Sequence, residues 1–318
     1  MIEREAFMNR RDTLLHFASS GTLASDFIPA AFFLHFPPEY HTGRAAVEKH
    51  VEYFRKTGND IMKIQYEHNY PRIDGITSAR DWAEMPVYDE DFYADQLAVV
   101  EGVVNELKKE TVVIVTLYSP FMFAGQTVGE DALISHIAED PAAVRKGLER
   151  IAESMSIFIR GCIERGVDGF YGSTQGGEKG RVPADVFDEY VKPTDLMVWD
   201  VYKDKTEFNI LHVCDYVAPY ESFHRYLEYP GQIVSAPSEL DGRDVSGSEI
   251  ARLFGRPFFG GMQRLGVIST GPVDAVRAEA REAIESGPAS MILGADCTLA
   301  ANTDWANIAA ATEVAHAT

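Results

Sequence analysis

The sequence predicts a single (β/α)8 TIM barrel with an N-terminal helical extension, and three observations lead there. Eight short apolar runs recur at fairly regular intervals through the 318 residues. Helical patterns lie between most of them, and strands that alternate with helices pair in parallel. No Gly-x-Gly-x-x-Gly opens a helix after any run, which disfavours the other common α/β solution, a doubly wound open sheet. Eight units in about 290 residues suit a closed barrel. No linker rich in Pro, Gly or Ser divides the chain and no internal repeat is visible. The expected division is therefore an extension over residues 1–27 and one barrel over residues 28–318.

In chain order the runs are IPAAFFLH (28–35), DIMKIQY (60–66), VVIVTLYS (112–119), DGFYGS (168–173), FNILHV (208–213), QIVSA (232–236), PFFGG (257–261) and SMILGA (290–295). Near-continuous apolar character is what strands buried on both faces require. The third run lies in the uncharged stretch from Thr111 to Gly129, but Pro120, Gly125, Gln126 and Gly129 make that stretch a buried strand running into a loop, not a membrane span. From Ala142 to Arg165, Val144, Leu148, Ile151, Met155, Phe158 and Cys162 recur at spacings of 4, 3, 4, 3 and 4, one apolar helix face. Cys162 is thus expected to be a core thiol. Asp274 to Ser286 reads as another helix, with Pro272 before it and Gly287 after it. His224, Tyr226 and Tyr229 are expected on a solvated helix and its end.

Apolar residues make up 46% of the chain and charged ones 25%, too much hydrophobic side chain for disorder. Lys and Arg number 29 against 49 Asp and Glu, a net charge of −20 that repels nucleic acid and anionic membranes. A polyanionic substrate would need a local basic pocket. Three cysteines cannot form a disulfide framework and suit a reducing compartment. The start, MIEREAFMNRRD, lacks the apolar stretch of a signal peptide, so the expected location is cytoplasmic.

Barrel active sites sit at the C-terminal ends of the strands, so chemistry is sought just after each run. The fifth run ends in His212-Val213-Cys214, and side chains at i and i+2 of a strand face the same way. Cys297 follows the eighth run on the same rim. Two thiolates and an imidazole are ligands that Zn2+ favours, and three protein ligands leave a position open for chemistry; the alternative is three small buried residues unconnected to metal. In DIMKIQYEH, Met62, Ile64 and Tyr66 form the face for helix packing, which turns Lys63, Gln65 and Glu67 inward, either to pair Lys63 with Glu67 or to orient a substrate. His35, Tyr118, Gln175 and Gln263 follow or close other runs and complete the candidate substrate-binding set. The glycines of QGGEKG (175–180) suggest a mobile loop more than a phosphate cradle. There is no Gly-x-Ser-x-Gly, no His-Glu-x-x-His and no Cys-x-x-Cys, which removes serine hydrolases, zincin proteases and zinc ribbons.

LHVCDY (211–216), PFFGGMQRLGVISTGPVDAVRAEAREAI (257–284), MILGADCTLAANTDWANIAAATEVAH (291–316), FLHFPPEY (33–40) and FYGSTQGG (170–177) resemble the uroporphyrinogen decarboxylase superfamily, with matches along nearly the whole chain. The resemblance implies a (β/α)8 barrel. One arm of the superfamily consists of zinc-dependent, cobalamin-linked methyltransferases with a His-x-Cys after strand five and a cysteine after strand eight, and His212, Cys214 and Cys297 match that pattern. Many relatives carry Gly after the His-x-Cys, where this chain has Asp215. The other arm, the metal-free decarboxylases, binds a tetrapyrrole through an arginine-rich loop after the first strand and an aspartate after the second. This chain has no Arg or Lys between Arg11 and Arg44 and no aspartate in IQYEHNYP (64–71). The expected function is zinc-dependent methyl transfer from a methyl-corrinoid, carried by a partner protein, to a small thiol acceptor, in a chain whose relatives suggest a homodimer. In this reading zinc holds the acceptor as a thiolate at neutral pH, with Asp215 or Asp296 as a possible fourth ligand, and the thiolate attacks the methyl group. The alternatives are uroporphyrinogen decarboxylation and a non-catalytic binding protein on the same barrel; retained metal ligands speak against the latter and Asp215 for it.

Overall fold

A computed structural model of the protein describes residues 9–23 and 28–317. Among these residues seven strands form one curled parallel sheet in chain order: β1 (Ile61–Ile64), β2 (Val112–Leu117), β3 (Gly169–Thr174), β4 (Ile210–Val213), β5 (Ile233–Ser235), β6 (Phe258–Met262) and β7 (Met291–Ala295). Each falls on one of the apolar runs, with Thr174 and Met262 extending one residue past theirs. Helices return the chain between strands, including Ala94–Leu107, Pro141–Glu164, Lys192–Tyr202 and Val273–Ser286. A small antiparallel hairpin, Glu239–Leu240 with Arg243–Asp244, stands outside the sheet. No described helix is long and apolar enough to cross a membrane.

The expected eighth strand is not there, and the sheet does not close into a barrel by a continuous ladder. Residues 28–35 make only two isolated parallel bridges, Ala30 with Leu293 and Leu34 with Leu299. On the β1 side, side chains take the hydrogen bonds that a ladder would use. Asp60 Oδ2 accepts from Ala30 N at 2.8 Å, and Asn59 Oδ1 accepts from Phe32 N at 3.1 Å. Pro29 has no N–H to offer. The segment still alternates like a strand: Ala31 and Phe33 face the inner core, Ala30, Phe32 and Leu34 the outer one.

Two cores follow from period-two alternation in strands buried on both faces. Val113, Val115, Phe170, Leu211, Val213 and Leu293 pack outward on the helices. Ile61, Val112, Ile114, Tyr171, Ile210, Ile233, Phe259 and Ile292 pack inward on one another. The helix Arg10–Ser20 adds Leu14, Phe17 and Ala18 to this inner core and so stoppers its N-terminal end. Of the expected extension, residues 1–8 and 24–27 lie outside the described residues. The helix is fastened by ion pairs from Arg10 to Asp60 (3.1 Å) and from Arg11 to Asp168.

Two local expectations need correction. The loop expected after β2 is a helix, Pro120–Val128, started by Ser119, whose Oγ accepts from Met122 N, and by Pro120 at its first position. Tyr226 and Tyr229 are fully buried, with only His224 exposed. Their hydroxyls explain why: Tyr226 OH accepts from Gly177 N and Tyr229 OH donates to Asp195.

Two stability measurements follow. Asp60→Ala leaves Ala30 N, Arg10 and His316 without their carboxylate, and denaturant titration should show a loss of about 3–5 kcal/mol. Arg10→Ala, at the exposed end of that pair, should cost no more than about 1 kcal/mol. Asp195 is the second case: burial pushes its carboxyl up to about 7, although Thr174 Oγ1 and Tyr229 OH both donate to it. The folded protein then keeps a proton that the unfolded chain has released above about pH 4. Stability therefore falls as pH rises from about 4 to about 7 and levels off above that. Asp195→Asn should flatten this part of the melting-temperature profile; parallel profiles for the two proteins would exclude Asp195 as its source.

Candidate metal centre

Alternation along β4 sends Leu211 and Val213 to the helices and turns Ile210 and His212 inward. Cys214 follows directly, and Cys297 follows β7 across the rim. The ligand atoms of His212, Cys214 and Cys297 all lie within 4.8 Å of one another. They stand in a cavity of about 640 Å3 with Lys63 and Tyr171.

The imidazole of His212 is held from two sides. Its Nδ1 is hydrogen-bonded to Ser235 Oγ at 3.2 Å, and the Tyr171 ring stacks on it at 4.8 Å. Its Nε2 is buried without a hydrogen-bond partner. An imidazole anchored through one nitrogen and bare at the other is what a metal-ligating histidine needs. Cys214 Sγ accepts a hydrogen bond from Gln175 Nε2 at 3.3 Å. A hydrogen bond shared with Cys297 pushes the Cys214 thiol well below its ordinary value and the Cys297 thiol well above it. The orphaned Nε2, the N,S,S donor set and their mutual closeness all fit zinc. Asp215 and Asp296 do not join the cluster; Asp296 accepts from Arg264 N at 2.8 Å.

The substrate-binding candidates divide. His35, Lys63, Tyr118 and Gln175 line the cavity. His35 Nδ1 donates to both carboxylate oxygens of Glu67, at 2.9 and 3.1 Å. Lys63 sits over the rings of Phe33 and Tyr171 at 4.5 and 4.4 Å, its Nζ without a hydrogen-bond partner, and burial pushes its amine down to about 7. No ion pair joins Lys63 to Glu67, because Glu67 is already committed to His35. Gln65 does not reach the cavity: it donates to Leu34 O at 3.1 Å and accepts from Thr116 Oγ1 at 3.0 Å. Gln263 is exposed and faces a separate groove beside Glu279. Gly260 and Gly261, with φ of 148° and 116°, break the alternation of β6, so Arg264 reaches the cavity instead.

The 175–180 segment, expected as a mobile loop more than a phosphate cradle, is tied down at its buried residues. Gln175 and Glu178 are buried, and Gly176 N donates to Glu178 Oε2. Ser235, Tyr171 and Arg264 were not among the sequence candidates. Ser235 and Tyr171 lie at inward positions of their runs, so strand parity is the signal that finds them. Arg264 follows two glycines whose turn the sequence does not specify.

Ser235→Ala removes the hydrogen-bond anchor of His212 Nδ1 while leaving all three ligand side chains in place. Zinc affinity, measured by competition with a chelating dye, should fall about 10–100-fold.

No curated protein matches the chain in sequence. In structure it is similar to a methyltransferase from Methanosarcina mazei, with a TM-score of 0.76 at 15% identity over 97% of this chain and 98% of that one. It is also similar to a structure described as a candidate vitamin-B12-independent methionine synthase from Listeria monocytogenes, at 0.54 and 13% over 92% and 97%. A B12-independent methionine synthase from a Shewanella species, in complex with selenomethionine, gives 0.51 and 10% over 91% and 97%. At these identities the likenesses speak for the fold. The sequence profile of uroporphyrinogen decarboxylase (URO-D) matches residues 61–318, which takes in all seven strands and every ligand of the candidate centre. The chain belongs to the uroporphyrinogen decarboxylase family.

Proposed function

We propose that the protein is a zinc-dependent methyltransferase that moves a methyl group from a methyl-corrinoid to a small thiol acceptor. The observation that carries this reading is the bare, buried Nε2 of His212 converging with two cysteine sulfurs in a cavity that has room for a substrate. His212, Cys214 and Cys297 would hold the zinc. Bound there, it supplies the positive charge that keeps an acceptor thiol ionised at neutral pH.

The chain's own residues would do the rest. Ser235 and Tyr171 keep the imidazole from turning, so that the ligand set stays in place while acceptor and product exchange. Lys63 offers the acceptor a buried amine to which no protein group is hydrogen-bonded. His35, held by Glu67, keeps its second ring nitrogen available to the cavity. Gln65 and Glu67 act one layer back, by holding Thr116 and His35. The corrinoid would supply the methyl group as an electrophile, keeping both electrons of its carbon–cobalt bond, and the acceptor sulfur would take the methyl carbon.

A partner protein that carries the corrinoid would approach at the cavity mouth, where Tyr216, Val217 and Leu265 are 69%, 50% and 70% exposed. Large apolar side chains in that setting mark contact surfaces. Tetrapyrrole decarboxylation is disfavoured by charge. The lining offers two Lys or Arg side chains, Lys63 and Arg264, and none comes from residues 28–41.

Metal analysis of purified protein tests the reading first. Wild type should carry close to one zinc and Cys297→Ser much less. Equal, near-zero zinc in both would sink it in favour of the binding-protein or metal-free reading. Given a methyl-corrinoid and a thiol, His212→Ala and Cys214→Ala should lose transfer by orders of magnitude while circular dichroism stays that of the folded protein.

A further inference from the structure

We infer that Arg181 is a positioning residue of the metal centre, which locks the amide of Gln175 so that Cys214 can meet it only as a hydrogen-bond acceptor. The inference rests on the reading of His212, Cys214 and Cys297 as a metal site and deepens it.

The chain of contacts is short. Arg181 Nη1 donates to Gln175 Oε1 at 3.1 Å, and Gln175 Nε2 donates to Cys214 Sγ at 3.3 Å. A glutamine amide can be turned over, exchanging its donor and acceptor ends, with little change in shape. Next to Arg181 it cannot. A guanidinium has donors only, so Oε1 must face it and the NH2 group must face the sulfur. An S–H at Cys214 pointing at Gln175 would meet donor against donor. The arrangement therefore suits a Cys214 that is ionised or bound to metal.

Arg181 is itself fixed. Its side chain is 6% exposed and pairs with Glu178 Oε1 and with Glu130 Oε2. Glu178 is fully buried, with its other oxygen accepting from Gly176 N. The guanidinium lies over the Phe121 ring at 4.8 Å. Burying one arginine with a fully buried glutamate is a costly way to fold a loop, and apolar packing would serve a loop as well. The group instead imposes one orientation on one amide beside a candidate ligand. Hydrogen bonds to a coordinated sulfur lower its electron-donating power and fix its direction. Gln175, expected to orient substrate, is in this account bound at both ends to the protein and acts on Cys214.

Cobalt(II) as the probe metal tests this, because a thiolate bound to it gives a charge-transfer band whose energy reports on the sulfur. Wild type, Gln175→Leu, Arg181→Lys and the double variant Arg181→Met with Glu178→Gln are loaded with Co2+ and titrated. In Gln175→Leu and in the double variant the band should move to lower energy and cobalt affinity should fall about 10–100-fold. Arg181→Lys, which keeps a donor and a charge, should lie nearer wild type. Gln175→Leu leaves the Arg181, Glu178 and Glu130 group intact, so it reports even if the double variant does not fold. An unshifted band and unchanged affinity in Gln175→Leu would overturn the inference with the metal centre left standing. A wild-type protein that gives no thiolate–cobalt band would overturn the metal reading, and this inference with it.

Discussion

Everything at the rim depends on how the other end of the sheet is held shut. Seven strands that curl without a closing ladder leave a seam between β1 and β7, and Asp60 holds the lower end of that seam. Its carboxylate accepts from Ala30 N on the seam segment, pairs with Arg10 of the plugging helix and takes the Nε2–H of His316 at 2.6 Å from the last helix. Three separate parts of the chain are thus tied to the residue that precedes β1. A buried carboxylate with these partners is a strong constraint, because removing it leaves several groups unpaired at once. Above it the inner core is continuous. Phe17 and Leu14 of the plug belong to the same cluster as Phe33, which stacks on Phe259 at 5.4 Å and meets the edge of Tyr171 at 5.7 Å. Tyr171 in turn stacks on His212. The imidazole is the top of a packed column whose base is the Arg10–Asp60 contact.

That column explains why the sequence was readable where it was. Parity along buried strands places inward residues without any knowledge of their neighbours, so Lys63, His212 and the convergence of Cys214 with Cys297 could be expected from position alone. The same rule fails where side chains take over backbone hydrogen bonds. IPAAFFLH has the composition and alternation of a strand, yet Asn59 and Asp60 occupy the N–H groups that a ladder requires, one just before and one at the start of the next run. Gln263 shows the second kind of failure. Alternation cannot be carried through Gly260 and Gly261 at positive φ, and the residue that reaches the cavity is one further along. The third kind is tertiary. Nothing in QGGEKG tells that Glu178 and Arg181 find each other and Glu130 across 51 residues of chain. Glycines there serve close approach, as at Gly177, where a Cβ would come within 2.5 Å of Tyr226 OH.

The polar groups of the cavity and of the layer behind it fall into two kinds, and the division bears on what the cavity does. His35, Glu67, Gln65, Gln175 and Ser235 are engaged by other protein groups, and each hydrogen bond fixes a side chain in one orientation. Lys63 Nζ and His212 Nε2 are buried and hydrogen-bonded to none. A buried polar atom without a partner costs about 1–3 kcal/mol, more when it is charged. A fold that kept both for packing alone would gain by replacing them with apolar side chains. Two such nitrogens in one cavity, one beside two sulfurs and the other above two aromatic rings, are instead complementary to a cation and to an anionic or electron-rich group. On the proposed function, an ionised thiol whose sulfur met a metal at His212 and whose charge was balanced by Lys63 would satisfy both at once. A net charge of −20 over the whole chain makes such local compensation more necessary, since the protein's own field opposes any anion that enters.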